Sequence, residues 1–185
     1  MSRAALLAAL CLVGGLAVGP VLANGAPPEP DGYRMEAFLA PVPETVAGAR
    51  VIDATEAARL HAAGVPFVDV MPRPERPANL PADTLWLDRE RRSIPGALYA
   101  PNVGYGRLPA GKDAYFRAVL ERATGGGRDT PVVIFCRADC WMSWNAAKRA
   151  ATEYGYTAVA WFPGGTDAWT AAGHGLEAVE AMPAE

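Results

Sequence analysis

Short apolar runs alternate with helical patterns along most of this chain, and this alternation constrains the fold more than any other feature. The runs have the length of buried strands and are VID (51–53), VPFVDV (65–70), PVVIF (131–135) and YTAVAWF (156–162). The helical patterns between and after them run from Thr55 to His61, from Asp113 to about Ala123, from Ser143 to Tyr154 and from Thr166 to about Ala172. The alternation predicts an α/β fold with a mainly parallel central sheet of about five strands flanked by helices.

The first 23 residues have the pattern of an export signal. Arg3 is followed by the apolar, small-residue stretch AALLAALCLVGGLAVGPVLA, and Val21-Leu22-Ala23 fits a signal-peptidase site. We interpret residues 1–23 as a signal peptide cleaved after Ala23, although a retained membrane anchor is the alternative. Export predicts a periplasmic protein without a membrane segment after cleavage. Its two remaining cysteines, Cys136 and Cys140, would then lie in a compartment where disulfides persist.

Two further segments differ from the strand and helix patterns. Residues 24–47 are rich in Pro, Gly and Ala, which predicts an extended segment that packs Tyr33 and Phe38 onto a folded domain at 48–185. Residues 71–93 contain many prolines and charges and are predicted to form a long loop over the sheet.

The charge of the chain excludes one class of partner. The formal net charge is −3, and the sequence contains no block of basic residues. Nucleic acids and anionic membrane surfaces attract proteins through clustered Lys and Arg. We therefore expect neither as a partner.

The junction at Cys136 has the features of a nucleophilic site. Cys136 follows the apolar run PVVIF, and the carboxyl end of a parallel strand is the edge where ligands bind. A helix begins soon afterwards, and its first amides and positive dipole end stabilise a thiolate or another anion. Arg137 adds positive potential. The predicted anion-binding residues are Arg137, Ala138, Asp139, Trp141, Met142 and Ser143.

Trp141 and the histidines bear on the ligands of this site. Because Trp141 follows Cys140 in a predicted loop, we expect it to be partly exposed, as an aromatic wall for a planar ligand. Zinc needs three or four ligands, and His61 and His174 are far from the cysteines in the chain. We expect no metal and no cofactor.

Four stretches, in order and at family-like spacing, resemble the rhodanese-like domain family over about residues 48–178. They are FVDV (67–70), SIPGALYAPN (93–102), VVIFC (132–136) and AVAWFPGGTDAW (158–169). The resemblance implies a rhodanese-like α/β fold, with Cys136 in the position of the persulfide-forming cysteine. In such enzymes this cysteine takes sulfur from a sulfane donor and passes it to an acceptor.

The chain also departs from the usual pattern of that family. Trp141 and Met142 stand where the loop usually has an arginine, and Met71 stands where the strand usually ends in Arg. Thiosulfate recognition is therefore not expected to follow the family's usual form. Arg91 and Arg92 precede the Ile-Pro-Gly segment, either as anion ligands or, as the simpler alternative, as part of a solvated charge run.

Cys140 is the largest departure, and it leaves alternatives open. Attack of this thiol on a persulfide at Cys136 would release sulfide and leave a disulfide, so the pair can be a redox couple or a nucleophile with a resolving thiol. A purely structural disulfide in so short a loop contributes about 2 kcal/mol in the loop-entropy model.

Two longer stretches resemble a narrower group, the exported PQQ-dependent catabolism-associated CXXCW motif proteins. They are CRADCWMSWNAAKR (136–149) and PDGYRMEAFLAPVPETVAGA (30–49). This resemblance implies an association with periplasmic quinoprotein alcohol oxidation, and a quinoprotein dehydrogenase as a partner.

The sequence therefore predicts a periplasmic thiol-dependent sulfurtransferase or thiol-redox accessory of quinoprotein alcohol catabolism. Cys136 would be the nucleophile and Cys140 the resolving thiol, acting on a small sulfur-containing or thiol substrate. The alternative is a non-catalytic accessory or binding protein of a quinoprotein dehydrogenase, with a structural Cys136–Cys140 disulfide.

Overall fold

The computed structural model describes residues 25–87 and 89–183, so the predicted signal peptide and its cleavage site lie outside the described residues. In chain order the elements are β1 (Arg50–Val51), α1 (Ala54–Ala62), β2 (Phe67–Asp69), β3 (Arg91–Ser93), β4 (Leu98–Tyr99), α2 (Lys112–Thr124), β5 (Val132–Phe135), α3 (Trp141–Thr152), β6 (Val159–Phe162), α4 (Gly165–Ala171) and β7 (Glu177–Val179). Within this part of the chain, no helix is both long and apolar enough to cross a membrane.

Five strands form one parallel sheet in the order β1-β6-β5-β2-β4. The central strand is β5, whose Ile134 lies between Val68 of β2 and Trp161 of β6. The predicted α/β fold with a mainly parallel sheet is therefore confirmed. Because Cys136 follows β5 directly, it lies at the middle of the carboxyl edge of the sheet.

The sheet separates two apolar cores. Successive residues of a strand face opposite sides of a sheet. Val132 and Ile134 accordingly pack with the apolar side chains of α2 and α3, whereas Val133 and Phe135 pack with those of α1 and α4. The domain has three layers, with the sheet between two pairs of helices.

The four described helices each begin one or two residues before the predicted start. The cap of α1 is Asp53 rather than Thr55, and its Oδ1 accepts a first-turn backbone N–H at 2.8 Å. The start of α2 follows Gly111, which has a left-handed φ of 76°, rather than Asp113. The Asp113 carboxylate instead accepts a hydrogen bond from the Tyr154 hydroxyl at 2.6 Å, which joins α2 to the chain just after α3.

The predicted loop at 71–93 ends in a strand that the sequence did not indicate. This strand, β3, pairs antiparallel with β7, with Arg91 opposite Val179. A bridge between Tyr99 of β4 and Ala181 joins the same region to the edge of the main sheet. Three residues are too few to show a period-two pattern, so the charged β3 resembles a loop in sequence.

Residues 25–47, which we call the N-terminal segment, run beside α3 without forming a helix or a strand of their own. Asn145 of α3 accepts the backbone N–H of Arg34 at 2.9 Å and donates to the carbonyl of the same residue at 2.9 Å. Tyr33 and Phe38 pack against the core on the α3 side of the sheet. The segment therefore covers the face of α3 that the sheet does not cover.

Further along α3, two more side chains hold this segment by its carbonyl groups. Nζ of Lys148 donates to the carbonyl oxygens of Pro30 and Asp31 at 2.9 and 2.6 Å. Nε1 of Trp144 donates to the carbonyl oxygen of Thr45 at 2.9 Å. Because these partners are backbone atoms, the contacts fix the path of the segment.

We predict that Asn145→Ala lowers the free energy of unfolding by about 2–3 kcal/mol, because it leaves one backbone N–H and two carbonyls without their buried partner. Limited proteolysis should cleave the N-terminal segment faster in this variant. The control is Thr170→Ala, which removes a hydroxyl bonded to carbonyls of α4 and not to the segment. Equal denaturation midpoints and proteolysis rates for Asn145→Ala and the unaltered protein would contradict this function of Asn145.

Candidate functional site

Cys136 and Cys140 form a disulfide at the carboxyl edge of the sheet. Cys136 follows β5, Cys140 precedes α3, and their Cα atoms are 6.3 Å apart. Both side chains are buried, with exposed fractions of 0% and 1%. In this structure the proposed nucleophile is therefore oxidised, and it is closed to solvent.

The helix after the cysteines begins two residues earlier than predicted. Cys140 is its N-cap residue, and Trp141 rather than Ser143 is the first helical residue. The backbone N–H of Trp141 donates to the carbonyl oxygen of Phe38 at 2.9 Å. The loop after Cys136 is thus short, and the positive end of the helix dipole lies next to Cys140.

Two predicted anion-binding groups of the loop lie beside a carboxylate of the protein itself. The backbone N–H of Ala138 donates to Oδ2 of Asp167 at 3.3 Å. Nε of Arg137 lies 3.7 Å from the same oxygen, and both side chains of this ion pair are about half exposed. Sequence reasoning missed Asp167 of α4, although it lies inside the stretch GGTDAW that carried the resemblance.

The N-terminal segment covers the other side of the loop. Asp139 has a left-handed backbone conformation with φ of 53°, and its carbonyl oxygen accepts the N–H of Ala40 at 3.0 Å. Leu39 forms an antiparallel backbone bridge with Cys140. Asp139 and Cys140 are therefore held by the segment through backbone contacts.

Three further residues predicted to bind an anion are buried. Trp141, Met142 and Ser143 have exposed fractions of 3%, 1% and 0%. The expectation of a partly exposed Trp141 is wrong, because its ring lies under the N-terminal segment and its Nε1 donates to the carbonyl oxygen of Pro41 at 3.1 Å. The hydroxyl of Ser143 donates to the carbonyl oxygen of Cys140 at 2.9 Å.

The remaining side of the disulfide is covered by Met71. Its Sδ lies 3.4 Å from Sγ of Cys136, and its side chain is half-buried. Met71 occupies the position where the resemblance leads one to expect the arginine at the end of the strand. An uncharged thioether therefore lies next to the sulfur, at the position where the family usually has an arginine.

An arginine does lie nearby, but it comes from β3. Nε and one terminal nitrogen of Arg91 both lie 2.7 Å from Oδ2 of Asp69, the last residue of β2. The terminal nitrogen is not aligned for a hydrogen bond, so its contact is electrostatic. Ser93 also donates to Oδ2 of Asp69, at 2.5 Å. Arg91 is thus part of a buried ion pair and not of a solvated charge run.

The carboxyl group of Asp69 is fully buried, which makes its ionisation depend on Arg91. Burial raises the pKa of Asp69, and the charge and hydrogen bond of Arg91 oppose this effect. A carboxylate at this depth is tolerated because it is paired and hydrogen-bonded.

Removal of the Arg91 side chain should therefore destabilise the fold in a pH-dependent way. We expect Arg91→Ala to lower the free energy of unfolding by about 3–5 kcal/mol near neutral pH, since it leaves a buried charge unpaired. The pKa of Asp69 in the folded state would then lie even further above its value in the unfolded chain. Asp69 then binds its proton more tightly in the folded state than in the unfolded chain. The loss of stability should therefore become smaller as the pH falls and larger as the pH rises.

Urea unfolding at pH 5 and pH 7.5 measures this dependence. The control is Arg92→Ala, which removes the exposed neighbour of Arg91 and should cost less than about 1 kcal/mol at either pH. A pH-independent loss in Arg91→Ala would show that Asp69 does not carry the effect.

No group of three or more His, Cys, Asp or Glu residues is arranged to hold a metal ion within residues 25–87 and 89–183. The disulfide is therefore the chemically distinctive group at this edge of the sheet.

Comparison with known proteins assigns the fold to a family. A model of the rhodanese-like domain matches residues 53–172. No match of significant similarity was found among curated proteins. The matched region contains the sheet from β2 to β6, all four helices and both cysteines, whereas the N-terminal segment lies before it. The chain therefore belongs to the rhodanese-like domain family.

Proposed function

We propose that this protein is a thiol–disulfide redox accessory built on a rhodanese-like domain, with Cys136 and Cys140 as its redox couple. The observation that carries this proposal is the disulfide itself. It joins the cysteine in the family's persulfide position to a second cysteine at the start of α3. While this bond exists, Cys136 has no free sulfur to accept a sulfane sulfur, so reduction must precede any sulfur transfer.

The two cysteines would have different functions in such a couple. Cys140 is the N-cap of a helix of 12 residues, where the helix dipole stabilises a thiolate and so makes it a good leaving group. Cys136 is the sulfur in contact with the half-buried Met71, whereas Cys140 is bridged to Leu39 of the N-terminal segment. An incoming thiol would therefore attack Cys136 and release Cys140.

Sulfur transfer would belong to the reduced form. A sulfane donor would give a persulfide on Cys136, and attack of Cys140 on its inner sulfur would expel hydrosulfide and reform the disulfide. Two electrons would pass from the cysteines to the sulfane sulfur in this step. The pair would thus couple sulfide release to oxidation of the protein.

The burial of both sulfurs supports a second candidate, in which the disulfide is structural and the protein is a non-catalytic accessory. In that case the bond holds the loop between β5 and α3, and partners bind elsewhere. The two candidates differ in whether the disulfide of the folded protein exchanges with thiols.

We further propose that the protein acts in the periplasm, beside quinoprotein alcohol oxidation and with a quinoprotein dehydrogenase as partner. Support comes from the export-signal pattern and from the resemblance of residues 30–49 and 136–149 to the CXXCW motif proteins. These two stretches contact each other along α3. In this chain three residues separate the cysteines, one more than the name of that motif implies.

Equilibration in thiol–disulfide buffers, followed by acid trapping, alkylation and mass spectrometry, tests the redox proposal. The native protein should interconvert reversibly between the disulfide and two free thiols. Its reduction potential should be less negative than about −300 mV, because structural disulfides typically have potentials below that value. A disulfide that is reduced only after denaturation would favour the structural candidate instead.

Sulfur transfer is tested separately with the reduced protein and a sulfane donor. Cys140→Ser should accumulate a persulfide on Cys136, because the resolving thiol is missing. The unaltered reduced protein should release sulfide and return to the disulfide. Cys136→Ser is the matched control, and a persulfide found in this variant would contradict the assignment of Cys136 as the acceptor.

A further inference from the structure

A cavity of about 760 Å³ lies on the Met71 side of the disulfide. Its walls are largely apolar and include three aromatic rings, with contributions from Met71, Trp86, Leu87, Tyr99 and Tyr105. Cavities of this size and lining take small organic ligands, which bury apolar surface there. The structure therefore offers a binding site for a molecule with an aromatic body.

The charged side chains of the lining determine which ligand charge this cavity favours. They are three arginines and one glutamate, namely Arg73, Arg89, Arg91 and Glu90. Arg91 is neutralised by Asp69, and Glu90 lies 4.0 Å from Arg92, which is outside the lining, so Arg89 contributes positive charge to this cavity. A ligand that carries a carboxylate complements this lining, since guanidinium groups bind carboxylates through paired hydrogen bonds.

Met71 contacts both the cavity and the disulfide. It is part of the cavity wall, and its Sδ lies 3.4 Å from Sγ of Cys136. Cys140 is bridged to Leu39, so the backbone of Cys140 is covered by the N-terminal segment. A ligand in the cavity thus approaches Cys136, with the flexible side chain of Met71 between them.

One wall of the cavity comes from the loop that precedes β3. Trp86 and Leu87 of this loop line the cavity, and Leu87 is 76% exposed. Exposed apolar side chains at the mouth of a cavity are typical of a ligand-binding surface. The mouth and the lining thus favour the same kind of ligand, one with an apolar body.

We propose that this cavity binds a small aromatic thiol bearing a carboxylate, and that Met71 gates the access of its sulfur to Cys136. This assignment rests on the proposed redox function and names the class of its thiol substrate. The recognition elements are the aromatic walls and the arginine-rich lining, and the reacting atom is Sγ of Cys136.

The exchange is balanced by two equivalents of thiol. The thiolate of the first attacks Sγ of Cys136, the bond between Cys136 and Cys140 breaks, and Cys140 leaves as a thiolate that takes up a proton. A second thiolate attacks the ligand sulfur of the mixed disulfide and releases Cys136 as a thiolate. The ligand is oxidised to its disulfide, and the two electrons remain on the two cysteines as thiols.

The charge preference is tested with 4-mercaptophenylacetate and its uncharged amide, whose thiols have similar intrinsic reactivity. The rate at which each reduces the disulfide is followed by acid trapping, alkylation and mass spectrometry. We expect the acid to react faster and with saturation, and 4-methylphenylacetate, which has no thiol, to compete with it. Equal, non-saturating rates for the two thiols would overturn the proposal.

Arg89→Gln tests the lining directly. Because Arg89 is exposed, its loss should lower the rate of disulfide reduction by the acid only about two- to fivefold. The rate of reduction by the amide should not change. Arg122→Gln removes an exposed arginine on α2, away from the cavity, and should change neither rate. An equal effect of both variants on the acid would show that only the overall charge of the protein matters.

The gate is tested with Met71→Ala and Met71→Leu. Shortening the side chain should accelerate reduction by the acid at least about tenfold, because the sulfur is no longer shielded. Leucine keeps a comparable apolar volume and should leave the rate close to that of the unaltered protein. Unchanged rates in Met71→Ala would exclude access past Met71.

Dithiothreitol separates failure of this inference from failure of the proposed function. If dithiothreitol reduces the folded protein but none of the charge, cavity or Met71 effects appears, the redox couple stands and the cavity assignment fails. If no thiol reduces the folded protein, both fail and the structural disulfide remains.

Discussion

The burial of α3 on two sides is the constraint on which the rest of the site depends. The sheet covers one side of the helix and the N-terminal segment covers another, so ten of its residues are buried, Trp141 to Ala150. Four of these are polar, namely Ser143, Asn145, Lys148 and Arg149. Buried polar groups are stable only with hydrogen-bond partners, and backbone carbonyls supply most of them here.

This double burial determines how the cysteines are presented. The N-terminal segment takes the first amide of α3 and holds the Asp139–Cys140 part of the loop. The amides that would cradle an anion in an open loop are in part already bonded within the protein. Met71, which lines the neighbouring cavity, covers the disulfide at Cys136. A family scaffold for sulfur transfer thus acquires the geometry of a shielded disulfide.

The fold could be predicted because its signals are local. Apolar runs and helix periodicity extend over only about 5 to 15 consecutive residues, and they identified the α/β layers and the position of Cys136 after β5. The same local rules failed where a signal is short or ambiguous. The strand β3 has only three residues and lies in a run of charged residues. Asp53 and Thr55 are both residue types that cap helices, so the sequence did not decide between them.

The candidate site was predicted only in part, because its contacts join distant parts of the chain. The pairs Arg137–Asp167 and Asp69–Arg91 are separated by 30 and 22 residues, and no local pattern links them. Trp141 was expected to be partly exposed because it follows Cys140 in a predicted loop. Trp141 is buried under the N-terminal segment and donates to a backbone carbonyl of that segment. Because every residue has a backbone carbonyl, the sequence does not indicate which residue is the partner.

The sequence by itself determined the strand–helix order, the parallel sheet and a cysteine pair at its carboxyl edge. These follow from chain-local periodicity and from the rule that parallel strands require crossovers. Only the tertiary structure decided which cysteine caps the helix and which residues cover the disulfide. These properties depend on hydrogen bonds between segments that are far apart in sequence, such as the N-terminal segment and α3. Such bonds are determined only when the chain has folded.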